Sequence, residues 1–152
     1  MRIGVISDTH GLLRPSAAAA LADVDHIVHA GDIGAAEVIE GLQKIAPVTA
    51  IRGNVDSGDW ARAYPETALL RLGGREIFLL HNLNDLDFDP AAHGIDVVVS
   101  GHSHRPRIAQ ENGVLYLNPG SAGPRRFTLP IALATLALSD AALAPQIHEI
   151  AA

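Results

Sequence analysis

The sequence predicts an α/β fold of two packed mixed sheets with helices outside them, an α/β/β/α sandwich formed by one domain over residues 1–152. Three observations predict it. The first half alternates short apolar runs with helical stretches, the βαβαβ order of a parallel sheet with right-handed crossovers. The second half is mostly short β-rich runs separated by hairpin signals. The chain of 152 residues suits one substantial core and is short for two.

Taken in order, residues 2–7 read as a strand. Pro15 opens a helix over 15–21, where proline suits the first turn and the body is Ala-rich. Residues 26–29 form a second strand. A second helix over 35–45 places Val38, Leu42 and Ile45 at helical spacing. Residues 48–51 are the third strand. Strands 67–72 and 75–80 meet at Gly73-Gly74, a tight hairpin turn. Residues 88–93 read as a short helix and 95–99 as a strand. Residues 107–109 and 114–117 flank Asn112-Gly113, a strong type I′ signal. Residues 131–138 and 144–150 close the chain as a hairpin through Ser139-Asp140.

Composition narrows the function. A hydrophobic content of 48% describes a chain that folds compactly. Aromatics are 4%, so Ala, Val, Ile and Leu must build the core. With no cysteine there can be no disulfide, iron–sulfur cluster or thiolate zinc site. The net charge of −6 argues against extended nucleic acid as a partner. An anionic substrate drawn by bound cations remains compatible with it. No secretory signal is visible, and the apolar run 131–138 falls well short of the roughly 20 residues that cross a bilayer. A cytoplasmic protein without a membrane partner is expected. The same run is a candidate sheet edge to share with a second copy, which makes a homodimer or larger homo-oligomer a candidate assembly.

Seven residues with metal-ligating side chains each follow an apolar run. They are Asp8 and His10, Asp32, Asn54, His81, and His102 with His104. In an open parallel sheet the loops after the strands converge on one rim, where ligands bind. Carboxylate, imidazole and amide oxygen suit divalent transition metals. Seven donors exceed the needs of one tetrahedral ion and suit two ions sharing a bridge. Singly, Asp8-Thr9-His10, Gly31-Asp32 and Gly53-Asn54 also describe a satisfied loop, a helix cap and a turn. Gly101-His102-Ser103-His104 is more specific, because two neighbouring imidazoles rarely serve packing.

The ordered set D-x-H, GD, GN, H, GHxH resembles the calcineurin-like metallophosphoesterase superfamily. With Asn118-Pro119-Gly120-Ser121 downstream, it resembles most the small YfcE-like phosphodiesterase branch. The resemblance runs from Asp8 to Ser121. It implies a single-domain metallophosphoesterase fold. It also implies that Asp8, His10 and His104 hold one metal, that Asn54, His81 and His102 hold a second, and that Asp32 bridges them. The implied reaction is hydrolysis of a small phosphorylated substrate at a diester bond, with a metal-bridging hydroxide as nucleophile and no side-chain nucleophile. Manganese is the first expectation for the two divalent ions, with Fe, Ni, Co or Zn as alternatives. A phosphomonoesterase or nucleotide pyrophosphatase would use the same site. So would a nuclease, which the acidic balance and the absence of a clustered basic stripe oppose. A protein-interaction scaffold, as the retromer subunit of this fold serves, would need no intact ligand set.

Two positions depart from the family pattern. Val55 stands where many members carry a His that assists the leaving oxygen, which disfavours a calcineurin-type monoesterase. Asn82 follows His81 where a Gly is common. Asp56 and His29 are candidates to orient ligands from behind, with a turn residue and a capped or solvent-facing His as the plainer readings. His26, His93 and His148 lie outside every motif and are expected at the surface. Arg52, Arg105 and Arg125-Arg126 are expected on solvated faces, although arginine suits phosphate. Trp60 and Tyr64 are expected to pack rather than to wall a substrate.

Overall fold

The computed structural model describes all residues, 1–152. The chain forms β1 (Arg2–Ile6), α1 (Pro15–Ala20), β2 (His26–His29), α2 (Ala36–Gln43), β3 (Val48–Ala50), β4 (Thr67–Leu72), β5 (Arg75–Leu80), β6 (Val97–Val99), β7 (Arg107–Glu111), β8 (Val114–Asn118), β9 (Ala132–Leu138) and β10 (Leu143–Glu149). One sheet has the order β10-β9-β1-β2-β3 and the other β4-β5-β6-β8-β7. Both are mixed in the same way. Three strands run parallel, β1-β2-β3 in the first and β5-β6-β8 in the second. Antiparallel strands flank them.

The strand alternation explains the layers. Ile3 and Val5 of β1 face the second sheet, where they meet a core that includes Ile77, Leu79, Val97, Val99, Leu115 and Leu117. Ile6, from the other face, packs with Leu21, Ile39 and Leu42 of the helical layer. Gly4 shares that face because a Cβ there would run into the Leu21 side chain. Each fully buried Leu or Ile contributes about 1.5–3 kcal/mol. Trp60 and Tyr64 pack on the helical core, as expected, with their rings edge to face at 6.3 Å.

The outer layer of the second sheet departs from the expected helix. It consists of single 3-10 turns at Leu83–Asp85 and Ala91–His93. Pro90 and the left-handed Gly94 confine the second turn to three residues. The turns and neighbouring loops cover Leu80, Ile95, Val98 and Val114 with Leu83, Leu86 and Phe88. No helix is long and apolar enough to cross a membrane.

The strand expected as a shared edge is interior. β9 pairs with β1 on one side and with β10 on the other. Its apolar character reflects burial on both faces, and β10 and β3 form the edges of that sheet. Of the outlying histidines, His93 is exposed. His26 and His148 are instead half-buried on strands and hydrogen-bonded to the hydroxyls of Thr49 and Thr135.

Candidate metal centre

The two parallel triplets end at one rim. Asp8 and His10 follow β1, Asp32 follows β2, and Asn54 follows β3. His81 follows β5, His102 and His104 follow β6, and Asn118-Pro119-Gly120-Ser121 follows β8. The first loops continue the β1–β2 pairing past the strands. Asp8 N–H donates to the Gly31 carbonyl (3.0 Å), His10 N–H to Asp32 (3.0 Å) and Gly11 N–H to Ile33 (2.7 Å).

Hydrogen bonds then tie the rim loops together, within each sheet and between the two. Asp8 Oδ2 accepts from the Ser7 hydroxyl (2.7 Å) and from His102 N–H (3.1 Å). Gly101 N–H donates to the His81 carbonyl at 2.9 Å. Ser121 donates its hydroxyl to the Asp8 carbonyl (2.9 Å), and the Asn118 amide donates to Gly101 (3.0 Å). The glycines before the donors are there for room. A Cβ on Gly53 would strike the Asp32 carboxylate, and one on Gly101 would strike the Ser7 hydroxyl and Asp8 Oδ2.

Five of the seven donor residues, Asp8, His10, Asp32, His102 and His104, have φ between +47° and +69°. Only two other non-glycine residues do so, which localises backbone strain to this rim. Each such residue costs on the order of 1 kcal/mol or more, and the surrounding hydrogen bonds hold it in place.

Donor atoms converge in two groups. Asp8, His10 and His104 each present a ligand atom within 4.8 Å of the others, and so do Asp8, Asp32 and His81. His104 Nε2 lies 3.3 Å from Asp8 Oδ1. His10 Nε2 is 3.9 Å from both Asp8 Oδ1 and Asp32 Oδ2. His81 Nε2 approaches Asp32 Oδ2 to 3.1 Å without hydrogen-bond alignment. Asp8 Oδ1, His10 Nε2, His81 Nε2 and His104 Nδ1 are buried with no hydrogen-bond partner. The only other such side-chain atom is Arg14 Nε. Buried polar atoms are ordinarily satisfied, and an unsatisfied Asp8 Oδ1 with the unsatisfied His10 Nε2 and His81 Nε2 within 3.9 Å of it fits a bound cation. All are nitrogen or oxygen, matching divalent transition metals.

Charge and tautomer agree with this fit. Burial would raise the Asp32 carboxyl, but the close approach and charge of the His81 imidazole, the Val55 N–H and the charge of His10 bring it down to about 2. Burial would lower the His81 imidazole, but Asp32, the Ala30 carbonyl and Asp8 raise it above its ordinary value. The metal-free site thus draws a proton, which a cation would replace. His81 Nδ1–H donates to the Ala30 carbonyl (2.8 Å), which turns Nε2 to the centre.

The other two donor residues sit at the solvent edge. His102 is exposed, its ring edge to face with His81 at 5.3 Å. Asn54 is exposed and lines, with His81, a cavity of about 700 Å³. Phe78, Leu80, Leu86 and Phe88 give that cavity an apolar wall, and Glu66, Asp85 and Asp87 are its acidic lining. A second cavity of about 230 Å³ adjoins His102, and Asn82 lines both. Asn82 accepts Asn84 N–H (3.0 Å), so it caps the 3-10 turn there.

Asp56 touches no imidazole. Its carboxylate accepts N–H groups of Ile33 (3.0 Å), Gly34 (2.9 Å) and Gly53 (2.8 Å), binding the Asp32 loop to the Asn54 loop. His29 is fully buried rather than solvent-facing. Thr9 donates its hydroxyl to Ile33 (2.8 Å), so His29 Nε2–H donates to Thr9 (3.0 Å) while Nδ1 accepts Gly31 N–H (3.1 Å). Burial lowers its pKa to about 4 against the opposing charges of Asp8 and Asp56. Ser7, which carries no motif, is placed at the site by its hydrogen bond to Asp8 Oδ2.

Residues 1–141 match the calcineurin-like phosphoesterase superfamily domain. A "probable metallophosphoesterase" of Methanothermobacter thermautotrophicus is 34% identical over 142 residues, covering 86% of this chain and 82% of that protein. Phosphodiesterase YfcE of Escherichia coli is 32% identical over 127 residues, covering 74% and 69%. A structure described as a novel archaeal phosphodiesterase superposes with a TM-score of 0.80 at 23% identity, covering 97% of this chain and all of that one. Vps29 of Entamoeba histolytica, solved with Zn²⁺, shares the fold with a TM-score of 0.74 at 19% identity, covering 98% and 99%. The chain belongs to the calcineurin-like phosphoesterase superfamily, and it is a metal-dependent phosphoesterase of that family.

Proposed function

We propose that the protein hydrolyses a small phosphodiester at a centre for two divalent ions. Asp8, His10 and His104 would hold one ion, Asn54, His81 and His102 the other, with Asp32 shared between them. The observation that carries this reading is the convergence of buried, unsatisfied Asp8 Oδ1, His10 Nε2 and His81 Nε2 across the two sheets, with His104 Nε2 3.3 Å from the same Asp8 oxygen. Held by these residues, divalent ions would supply Lewis acidity for activating water and for offsetting charge on phosphoryl oxygens.

The chain's own residues do the positioning. Ser7 and the His102 N–H occupy Asp8 Oδ2, so Oδ1 is the oxygen left facing the histidines. Asp32 stays ionised throughout the neutral range and supplies fixed negative charge. The Ala30 carbonyl holds His81 in the tautomer that binds through Nε2. Val55 offers its N–H to Asp32 Oδ1 (3.2 Å) and has no side-chain proton for a leaving oxygen. This favours diesters whose leaving alcohol is acidic, over alkyl monoesters that need a proton donor. Manganese is the first ion to test, ahead of Fe, Co, Ni and Zn.

The test is hydrolysis of bis(p-nitrophenyl) phosphate by protein stripped of metal and then given Mn²⁺. Turnover that appears with metal and exceeds turnover of p-nitrophenyl phosphate is the expected result. No turnover with any of the five ions would sink the proposal and favour an interaction scaffold.

A further inference from the structure

The two cavities at the rim differ in charge. The larger has an apolar wall and three carboxylates, one of them, Glu66, paired with Arg52. The smaller has no acidic lining residue. It is walled by His102, Ser103, Asn82, Tyr116 and two arginines, Arg105 and Arg107.

Those arginines stand apart from most of the others. Arg2 pairs with Asp23, Arg62 with Asp59, Arg71 with Glu76 and Arg75 with Asp96. Arg14 and Arg125 donate to backbone carbonyls. The guanidinium groups of Arg105 and Arg107 make neither an ion pair nor a hydrogen bond within the chain, in a protein of net charge −6. Unengaged guanidinium groups in a concave, acid-free site match the oxygens of an anion. Neighbouring donors are free as well. Asn82 uses its side-chain oxygen on Asn84, which leaves its NH₂ available, and the Tyr116 hydroxyl lines the same wall.

The geometry points to an anion subsite in the smaller cavity, where Arg105 and Arg107 receive a second phosphate carried on one limb of an asymmetric diester. The other limb, aromatic or apolar, lies along Phe78 and Phe88 in the larger cavity, whose carboxylates repel an anion. The scissile group then sits between them, beside His81 and His102, which rests on the phosphodiesterase reading above. Ligand size fits: about 230 Å³ admits a phosphate with a small part of its carrier, and about 700 Å³ is in the range of drug-sized ligands.

Two chromogenic esters test this. Thymidine 5′-(p-nitrophenyl phosphate) and its 3′-phosphorylated counterpart differ only in the second phosphate. With the Mn²⁺-loaded protein, the 3′-phosphate is expected to lower KM about tenfold, the size of one added charge-assisted contact. In the Arg105→Gln/Arg107→Gln variant the ratio of the two KM values falls to about one. Calorimetry reads the same subsite without turnover. Thymidine 3′,5′-bisphosphate should bind about tenfold tighter than thymidine 5′-monophosphate, and equally in the variant. Equal binding of the two ligands by the unmodified protein overturns the subsite. An advantage that survives the double substitution also overturns it, by placing the second phosphate on the metal ions. If neither ester is turned over with any divalent ion, the phosphodiesterase reading fails on its own, and the calorimetric ratio still decides the subsite.

Discussion

The two sheets supply unlike halves of the rim. The first contributes both carboxylates, Asp8 and Asp32, with His10 and Asn54, from loops zipped together by backbone hydrogen bonds and by Asp56. Two helices cover its outer face. The second contributes three imidazoles from loops under single 3-10 turns, and its residues form all of the smaller cavity. The first half is thus a rigid negative anchor. The second half is the more open side, where the proposed anion subsite lies. Such a division suits a dimetal site, because carboxylates buried against fixed donors need a firm scaffold, whereas limb recognition needs open loops.

Breaking the anchor should have the largest effect. Asp32→Ala is expected to lose both ions and Asp8→Ala chiefly the ion held with His10 and His104, each with a loss of more than about 10³-fold in activity, checked by metal content and diester turnover. Asp8 belongs to both donor groups, so the two variants also sharpen which carboxylate is shared. Two ions retained in Asp32→Ala would end the bridging assignment.

Next in size is Asp56→Ala. Three N–H groups lose their acceptor, that of Ile33 buried and those of Gly34 and Gly53 part-buried, at a cost of about 2–3 kcal/mol in unfolding free energy, measured by denaturant titration. Metal affinity should fall with it by about 10–100-fold, as for other groups that orient ligands from behind.

Acid should loosen the anchor by a similar amount. His29 has a folded pKa of about 4 against 6.5, so the unfolded chain takes up the proton first as pH falls. Stability is therefore lost between about pH 6.5 and 4, by about 3 kcal/mol, and levels off below. The raised His81 acts oppositely, stabilising the metal-free fold below pH 6.5 and losing that contribution as pH rises through its folded value. Asp32 contributes above its unfolded pKa and loses that contribution only as pH falls through about 2. Denaturation of metal-free protein across pH 4–7 should show the His29 slope, and His29→Gln should flatten it.

The smallest effect belongs to the open half. His102→Ala should weaken one ion about tenfold and spare the other, read by metal titration. Equal loss of both would contradict the division between a firm first sheet and an exposed second.

Much of the fold was legible locally. Strand periodicity, Gly73-Gly74 and Asn112-Gly113 located the strands and hairpins now seen as β4–β5 and β7–β8. The run 131–138 was misread as an edge, because a strand apolar on both faces looks the same whether it is exposed for a partner or paired within its own sheet. The helix expected over 88–93 was cut short by Pro90 and Gly94, whose effect depends on where the preceding strand delivers the chain. His29 and Asp56 were legible as candidates, but not as loop ties, since the Thr9 hydroxyl and the Ile33 N–H they engage lie about 20 residues away.

By itself the sequence determined which donors the site has, their order, and that each follows a strand. Those are local properties, carried by residue type and by periods of two and 3.6 residues. Only the tertiary structure decided which oxygen of Asp8 is free, which residues bend to positive φ, and that Arg105 and Arg107 stand unpaired beside His102. Asp8 and the His102 N–H are 94 positions apart. Their approach is set by how two sheets pack face to face, through many side chains at once, and no short window of sequence contains it.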